Sequence, residues 1–468
     1  LGRTSCHNIH ISDNNKIQIM LNTGLARQWL ASFSAALCMA IAGTVFTWLT
    51  PIAVQLTSED SPIRMTEVQR SWVTGCASIG NTVSCIPIGI IAHRWGRKPI
   101  LLVAGPVALL GWILMITTRS LQVLYFVGII HGFTMATAFC ISSVYIAEIA
   151  SPKIRGALCG QFMTFYYLGL VYVDIIAYLT DYTVYLYLLT ILPIFYTVLF
   201  YFMPETPYYL MKSGKDSKVV ESLNWLKTHK NSFVGEKFIE MKTSINNNYS
   251  WKDLFLVKSQ RRAMIIVTIA YCLKCFGGQI SLQVYTTQIL STLTNNSDYS
   301  MILTTVSNII LCLTCFMSGF ISDTLGRRPV MYITSFASGI FHLIVMIYFF
   351  VYNSNLKSFS TINLWIIFAS MTLALILGNA SMSIFLPTVS AEYFNTEGRT
   401  LGSGIVHAVA GLAAFTSIIA YQAIKDSIGD YFNFLIFAFC SIVASIVIFY
   451  FVPETARKSL ERIQKEIE

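Results

Sequence analysis

Charged residues make up only 12% of this 468-residue chain, yet its arginines and carboxylates recur in a fixed order. Gly89-x3-His93-x2-Gly96-Arg97-Lys98 returns 230 residues later as Gly319-x3-Asp323-x2-Gly326-Arg327-Arg328. Glu148, followed seven residues on by Arg155, returns 244 residues later as Glu392 followed by Arg399, and Pro204-Glu205-Thr206 returns after 249 residues as Pro453-Glu454-Thr455. Guanidinium is planar, permanently charged and able to grip a carboxylate through two parallel hydrogen bonds. Arg97, Arg155, Arg327 and Arg399, set against Glu148, Glu205, Glu392 and Glu454 with Asp323 beside them, can therefore tie helix ends together and release them again. That is the chemistry of a reversible gate. Taken singly, each arginine reads more simply as loop charge or helix capping; three matches in one order favour the gate.

Other constellations carry less. Cys272-x2-Cys275 and Cys312-x2-Cys315 have the pair spacing of zinc ribbons, but both pairs lie in apolar runs, where cysteine behaves as a small hydrophobe. No metal is expected. The eleven cysteines are an odd number, ten of them in apolar runs, and give no disulfide framework. No Walker loop, nucleophile elbow or metalloprotease helix occurs, so neither an enzyme nor a cofactor is expected. His131, His342 and His407 lie within or at the ends of apolar runs; they could shuttle protons but read better as packing residues. Lys274 is the one lysine or arginine deep inside a run. Twelve residues beyond Arg262, it sits ~18 Å into a ~30 Å hydrocarbon core. Facing lipid there would cost about 2.5–3.5 kcal/mol, so it should face a central cavity or a partner. Asp174 is one candidate partner, although it lies roughly 10 Å farther along the membrane normal; a substrate is another.

The elements that must position these residues follow from composition. Hydrophobic residues make up 55% of the chain and mean hydropathy is +0.61, more apolar surface than one soluble core can hide, so lipid must be the solvent. Long unbroken apolar runs exclude an outer-membrane barrel. Twelve runs of spanning length appear, near 26–50, 71–92, 99–118, 121–147, 156–179, 184–203, 263–293, 300–322, 329–351, 361–390, 401–421 and 431–452. Between the sixth and seventh lies a hydrophilic stretch in which Val219, Val220, Leu223 and Leu226 recur at helical spacing. The reading is an all-α membrane protein: a tail over 1–20, a six-helix bundle over 21–203, a linker with short helices over 204–260, a second six-helix bundle over 261–455 and a tail over 456–468.

Of 32 lysines and arginines, 26 lie in the termini, the linker and the even-numbered connections, and five in the odd-numbered ones. Both termini and the linker are therefore expected in the cytoplasm. The net charge of +9 reports this topology rather than nucleic-acid binding. The first twenty residues carry no secretory apolar region, so no cleaved signal peptide is expected. Three repeated motifs at corresponding span ends make the chain two parallel halves, an organisation that suits alternating access to a site between them.

The same residues carry a family resemblance. Gly96-Arg97-Lys98 and Gly326-Arg327-Arg328, Glu148-x6-Arg155-Gly156, Pro204-Glu-Thr-Pro-Tyr-Tyr-Leu210, Glu392-x6-Arg399 and Pro453-Glu-Thr-x3-Ser459-Leu460 resemble the sugar porter family of the major facilitator superfamily. Trp48-x2-Pro51, Ser61-Pro62, Ser71-Trp72 and Tyr145-Ile-Ala-Glu148-Ile149 look closest to its insect branch, the facilitated trehalose transporter-like proteins. The resemblance covers about residues 25 to 462. It implies the twelve-helix major facilitator fold, a monomer in the plasma membrane, and downhill carriage of trehalose or a hexose by rocking of two bundles.

At the sugar positions the chain departs from that family. The paired glutamines of the seventh span fall on Lys274 and Cys275, the nearby asparagine on Ile280 and that of the eighth span on Leu311. The stacking tryptophan of the tenth span falls on Pro387, the asparagine-tryptophan pair of the eleventh on Ala410 and Gly411, and the glutamine of the fifth on Met163. Asn379 keeps a polar substrate-facing position. Gln279, Gln283 and Asn308 lie within a turn or two of the lost groups and are candidate replacements, with Lys274 standing at a glutamine position. The first span lacks the acid of proton-coupled relatives, and Ile129 takes the place of the arginine paired with it. Uniport is therefore expected. His93 stands where the first loop motif has aspartate, which weakens the expected gate in the first half. Two other readings remain: a carrier of an organic anion or other non-sugar solute, suggested by Lys274, and a transporter-like sensor that binds without turnover, suggested by the eroded sugar positions.

Overall fold

The computed structural model describes residues 5–52, 63, 65–151, 154, 158, 161–226, 253–353, 361–388, 393–394 and 398–454. Twelve helices among them are long and apolar enough to cross a membrane. In chain order they are α1 (Gly24–Ile52), α2 (Glu67–Trp95), α3 (Arg97–Thr117), α4 (Leu121–Ile149), α5 (Phe162–Leu179) and α6 (Tyr182–Tyr201). The second set comprises α7 (Lys258–Thr294), α8 (Ser297–Ser318), α9 (Arg327–Val351), α10 (Leu364–Phe385), α11 (Thr400–Ser427) and α12 (Asp430–Phe451). The expected runs match these within a few residues. The architecture is the major facilitator fold, two six-helix bundles, as expected from the repeat.

Local chemistry sets the ends. α2 opens with a capping box, Thr66 Oγ1 accepting from Gln69 N at 3.2 Å while Gln69 Oε1 accepts from Thr66 N at 2.9 Å. It closes at Gly96 (φ +106°), and its repeat counterpart Gly326 (φ +92°) closes the helix before α9. Both positions need glycine for the left-handed backbone that swings one helix straight into the next. α4 and α7 are interrupted by wide π-type turns, Ala138–Ser142 and Cys275–Gln279. In α7 the turn contains Gly278 at φ +88°.

Burial sorts the helices. α1 is the central one, 89% buried, whereas α6 and α9 are only 33% buried and turn residues such as Val198 and Ile333 outward. Those outer faces are apolar because the bilayer is their solvent. The two halves meet along α2 against α11 and α5 against α8. A Cβ on Gly404 of α11 would lie 2.9 Å from the Cys85 carbonyl of α2, and one on Gly89 would lie 3.1 Å from the Thr400 carbonyl.

Two short linker helices, Pro207–Lys212 and Asp216–Leu226, dock on the first half. Their shared core is Tyr209, Leu210, Met211, Val219 and Leu223, and Val220 of the expected apolar face is exposed. Arg27 Nη1 donates to the Trp225 carbonyl at 3.1 Å and Gln28 Nε2 to the Leu226 carbonyl at 3.4 Å, which satisfies carbonyls that a helix end leaves free.

Candidate functional site

At the linker end of the bundle, Arg97 opens α3 with its side chain buried. Its Nη2 donates to Glu148 Oε1 of α4 at 2.8 Å, in a pair whose side chains are each 2% exposed. Nη1 donates to the Ala92 carbonyl at 3.3 Å, and Nη2 reaches across to Thr400 Oγ1 of the other half at 3.5 Å. The rings of Tyr208 and Tyr209 lie 6.0 and 5.7 Å from the guanidinium. Glu205 has a different task. It accepts from the backbone N–H of Arg97 at 3.2 Å and of Lys98 at 3.0 Å, holding a full negative charge against the start of α3. Burial pushes its carboxyl above the ordinary range, while these backbone donors and the Arg97 charge pull the other way. Glu454 repeats the arrangement on Arg327 N at 3.1 Å and Arg328 N at 3.0 Å. His93 Nε2 lies 2.9 Å from Lys212 Nζ. Of the remaining expected gate residues, Arg155 and Glu392 lie outside the described residues, as do the side chains of Asp323 and Arg399.

Farther in, polar groups from both halves meet. Tyr166 OH of α5 donates to Gln283 Oε1 of α7 at 3.1 Å, and Gln283 Nε2 donates to Tyr167 OH at 2.9 Å. Tyr167 OH in turn donates to Asn379 Oδ1 of α10. Asn379 Nδ2 is tied back to the Leu375 carbonyl at 2.9 Å. All four residues are buried, Tyr167 completely. The chain of bonds contains no ionic group, and each link polarises the next. Beside it runs a file of rings across the same interface: Tyr166 to Phe139 at 6.0 Å, Phe139 stacked on His407 at 5.8 Å, His407 to Tyr271 at 5.5 Å and Tyr271 to Phe385 at 6.4 Å. A sugar offers both hydroxyl edges and an apolar C–H face, and this junction offers partners for each.

The other expected site residues fall elsewhere. Asn308 Nδ2 of α8 donates to Asp174 Oδ2 of α5 at 2.7 Å, again between the halves. Asp174 is thus paired with Asn308 rather than with Lys274. Lys274 Nζ donates to Ser335 Oγ of α9 at 2.6 Å and to Ser381 Oγ of α10. Both hydroxyls also donate to the Met331 carbonyl, at 2.6 and 3.0 Å, so their lone pairs are turned to the ammonium. Lys274 is therefore buried inside the second half. Gln279 stays there too, its side-chain amide facing the carbonyls of Lys274 and Gly277, to which its nitrogen can donate when the amide is turned over, and its side chain lying over Gly378 of α10.

The opposite end of the interface holds a cluster that the sequence reading did not single out. Arg70, in the first turn of α2 and 2% exposed, pairs with Glu67 at 2.8 Å. It donates to Gln288 Oε1 of α7 and places its guanidinium 5.2 Å from the Tyr285 ring centroid. Tyr285 OH donates to Ser71 Oγ at 2.8 Å, and the Tyr285 ring stacks on Tyr421 of α11 at 4.3 Å.

Tyr166 and Tyr167 were likewise missed, because in a helix apolar on all sides nothing marks the face. The available signal was two adjacent tyrosines well inside a span, away from the membrane surfaces where tyrosine is common.

A profile of the family described as "Sugar (and other) transporter" matches residues 34–467. The facilitated trehalose transporter Tret1 of Culex quinquefasciatus is 22% identical over 445 residues, covering 94% of this chain and 86% of that one. Tret1 of Polypedilum vanderplanki is 21% identical, covering 94% and 88%. Among solved structures, the proton:xylose symporter XylE bound to 6-bromo-6-deoxy-D-glucose superposes with a TM-score of 0.78 at 19% identity, covering 95% of this chain and all of that one. A partially occluded, inward-open XylE from E. coli gives 0.74 at 17% identity, covering 93% of this chain and all of that one. These structural likenesses establish the fold.

Proposed function

Because this chain belongs to the sugar (and other) transporter family, we propose that it carries a neutral sugar down its gradient by alternating access. Trehalose is the first candidate, since the relatives named above are facilitated trehalose transporters, and a hexose is the second. The observation that carries this reading is the hydrogen-bonded junction of Tyr166, Gln283, Tyr167 and Asn379 between the halves. It is built from hydroxyls and amides, which donate and accept at once as sugar hydroxyls do.

In this reading the linker end and both termini face the cytoplasm, in keeping with the lysine and arginine bias. The protein acts as a monomer in the plasma membrane. Arg97, Glu148, Glu205, Arg327 and Glu454, joined by Arg155, Asp323, Glu392 and Arg399, form the cytoplasmic gate. Contacts between the halves at both ends support an occluded arrangement around the junction. Rocking of the halves would open one end at a time. The placement of Lys274 against two serines within one half weighs against an organic anion as substrate.

Counterflow in proteoliposomes against labelled trehalose, glucose and a panel of carboxylates tests the proposal. Saturable exchange of a neutral sugar, with no accumulation when an inward proton gradient is imposed, is the expected result. Exchange of carboxylates alone would overturn it in favour of the anion carrier. Ligand-dependent thermal stabilisation without any exchange would overturn it in favour of a sensor.

A further inference from the structure

We propose that Tyr167 is a sugar-binding residue that sets specificity, with Tyr166 beside it, so that two α5 hydroxyls do the work of amide groups this chain lacks. The inference rests on the neutral-sugar reading and adds to it the residues that read the sugar's hydroxyls. Three observations carry it.

The first is the bonding of Tyr167. Its hydroxyl accepts from Gln283 at 2.9 Å and donates to Asn379, while no part of the side chain reaches solvent. A hydroxyl inserted between Tyr167 and Asn379 can accept from the first and donate to the second without leaving either unsatisfied. Water or a sugar hydroxyl meets that requirement; a carboxylate, which only accepts, does not meet it at the Asn379 oxygen. The second is location. Tyr166 and Tyr167 belong to one half, and Gln283 and Asn379 to the other, so the bonds between them must part whenever the halves rock. They form the only hydroxyl-to-amide chain across the interface among the described residues, and parting it exposes four polar groups that a substrate must satisfy. The third is the ring file. Tyr166 stands 6.0 Å from Phe139, which stacks on His407 of the opposite half. This places an aromatic surface next to the hydroxyls, a partner for the apolar C–H face of a sugar.

Structure and specificity separate experimentally. In proteoliposomes, the KM for whichever labelled sugar the parent exchanges should rise about 10-fold in Tyr167→Phe, the scale of one lost hydrogen bond in a dry site. In the parent, at least one monodeoxy analogue of that sugar should compete about 10-fold less well than the rest. In Tyr167→Phe the penalty at that position should disappear, since the hydroxyl that read it is gone. Tyr166→Phe should change a different position of the series. A parent that exchanges sugar but treats all monodeoxy analogues alike would overturn the inference and leave the transport reading intact. So would a Tyr167→Phe protein with an unchanged KM and deoxy profile, even if its maximal rate fell, because that pattern marks a latch and not a ligand. Failure of the parent to exchange any neutral sugar would overturn both.

Discussion

At the linker end, Arg97 directs its charge to Glu148 within its own half and, among the described residues, reaches the other half through Thr400 Oγ1 at 3.5 Å. At the opposite end, Arg70 crosses directly to Gln288 and to the face of Tyr285 in the other half. Both arginines are 2% exposed, so burial does not distinguish them. What differs is which bonds a rocking motion must break. Opening the linker end separates packed backbone, Gly404 from Cys85 and Gly89 from Thr400, while the buried ion pair and the paired caps of Glu205 and Glu454 stay intact inside their halves. Opening the opposite end strips a guanidinium of a hydrogen bond and an aromatic face. Among the described residues, the Arg97–Glu148 pair and the Glu205 and Glu454 caps thus stiffen the two faces that meet at the linker-end gate, whereas the unrepeated Arg70 cluster bonds directly between the halves.

Three substitutions sharpen or break that contrast. The largest effect is expected from Arg97→Met, which leaves the Glu148 carboxylate buried without its guanidinium. A loss of about 3–5 kcal/mol of stability follows, read as a large fall in the thermal midpoint of the detergent-solubilised protein. A midpoint equal to the parent's would remove Arg97 from its structural role. Next comes Arg70→Leu, which should leave the midpoint nearly unchanged but favour the state open at that end by ~1–3 kcal/mol. Alkylation of a reporter cysteine, Thr286→Cys, should then speed up; equal rates in both backgrounds would show that the Arg70 cluster does not close this end. The smallest effect belongs to Gly404→Ala. Its new methyl would press on the Cys85 carbonyl from 2.9 Å and should push the halves apart at the linker end by roughly 1 kcal/mol, the low end of overpacking costs. Faster labelling on the linker side, with the Arg70 end unaffected, is the expected outcome. Faster labelling at both ends would mean that the interface moves as one sheet of contacts and that the contrast is false.

The spans were readable because the bilayer imposes a length and an apolar composition on any helix that crosses it. α12, expected over 431–452, runs Asp430–Phe451. The repeated loops were readable because charge is scarce and each copy sits at a helix end. Even there the partners were only partly visible. Arginine-to-carboxylate pairing holds for Arg97 and Glu148, but Glu205 and Glu454 accept from backbone N–H groups that every residue carries. The polar site was less readable still. Gln279 and Gln283 are four residues apart, which puts them on one face of a regular helix. The turn at Cys275–Gln279 breaks that regularity, so Gln279 folds back on its own half while Gln283 reaches α5.

By itself, the sequence determined that the chain lives in lipid as twelve helices in two related halves, and where the charged loops between them lie. Both follow from properties carried residue by residue: transfer free energy from water, and charge that stays in water. The tertiary structure alone decided which polar groups face each other. In a bilayer the surroundings of a helix are as apolar as its buried side, so hydrophobic periodicity no longer separates inside from outside. Lys274 against Ser335 and Ser381, Asp174 against Asn308, and Tyr167 between Gln283 and Asn379 are choices of neighbour. They are fixed when helices far apart in sequence pack together and each buried polar group must find a partner.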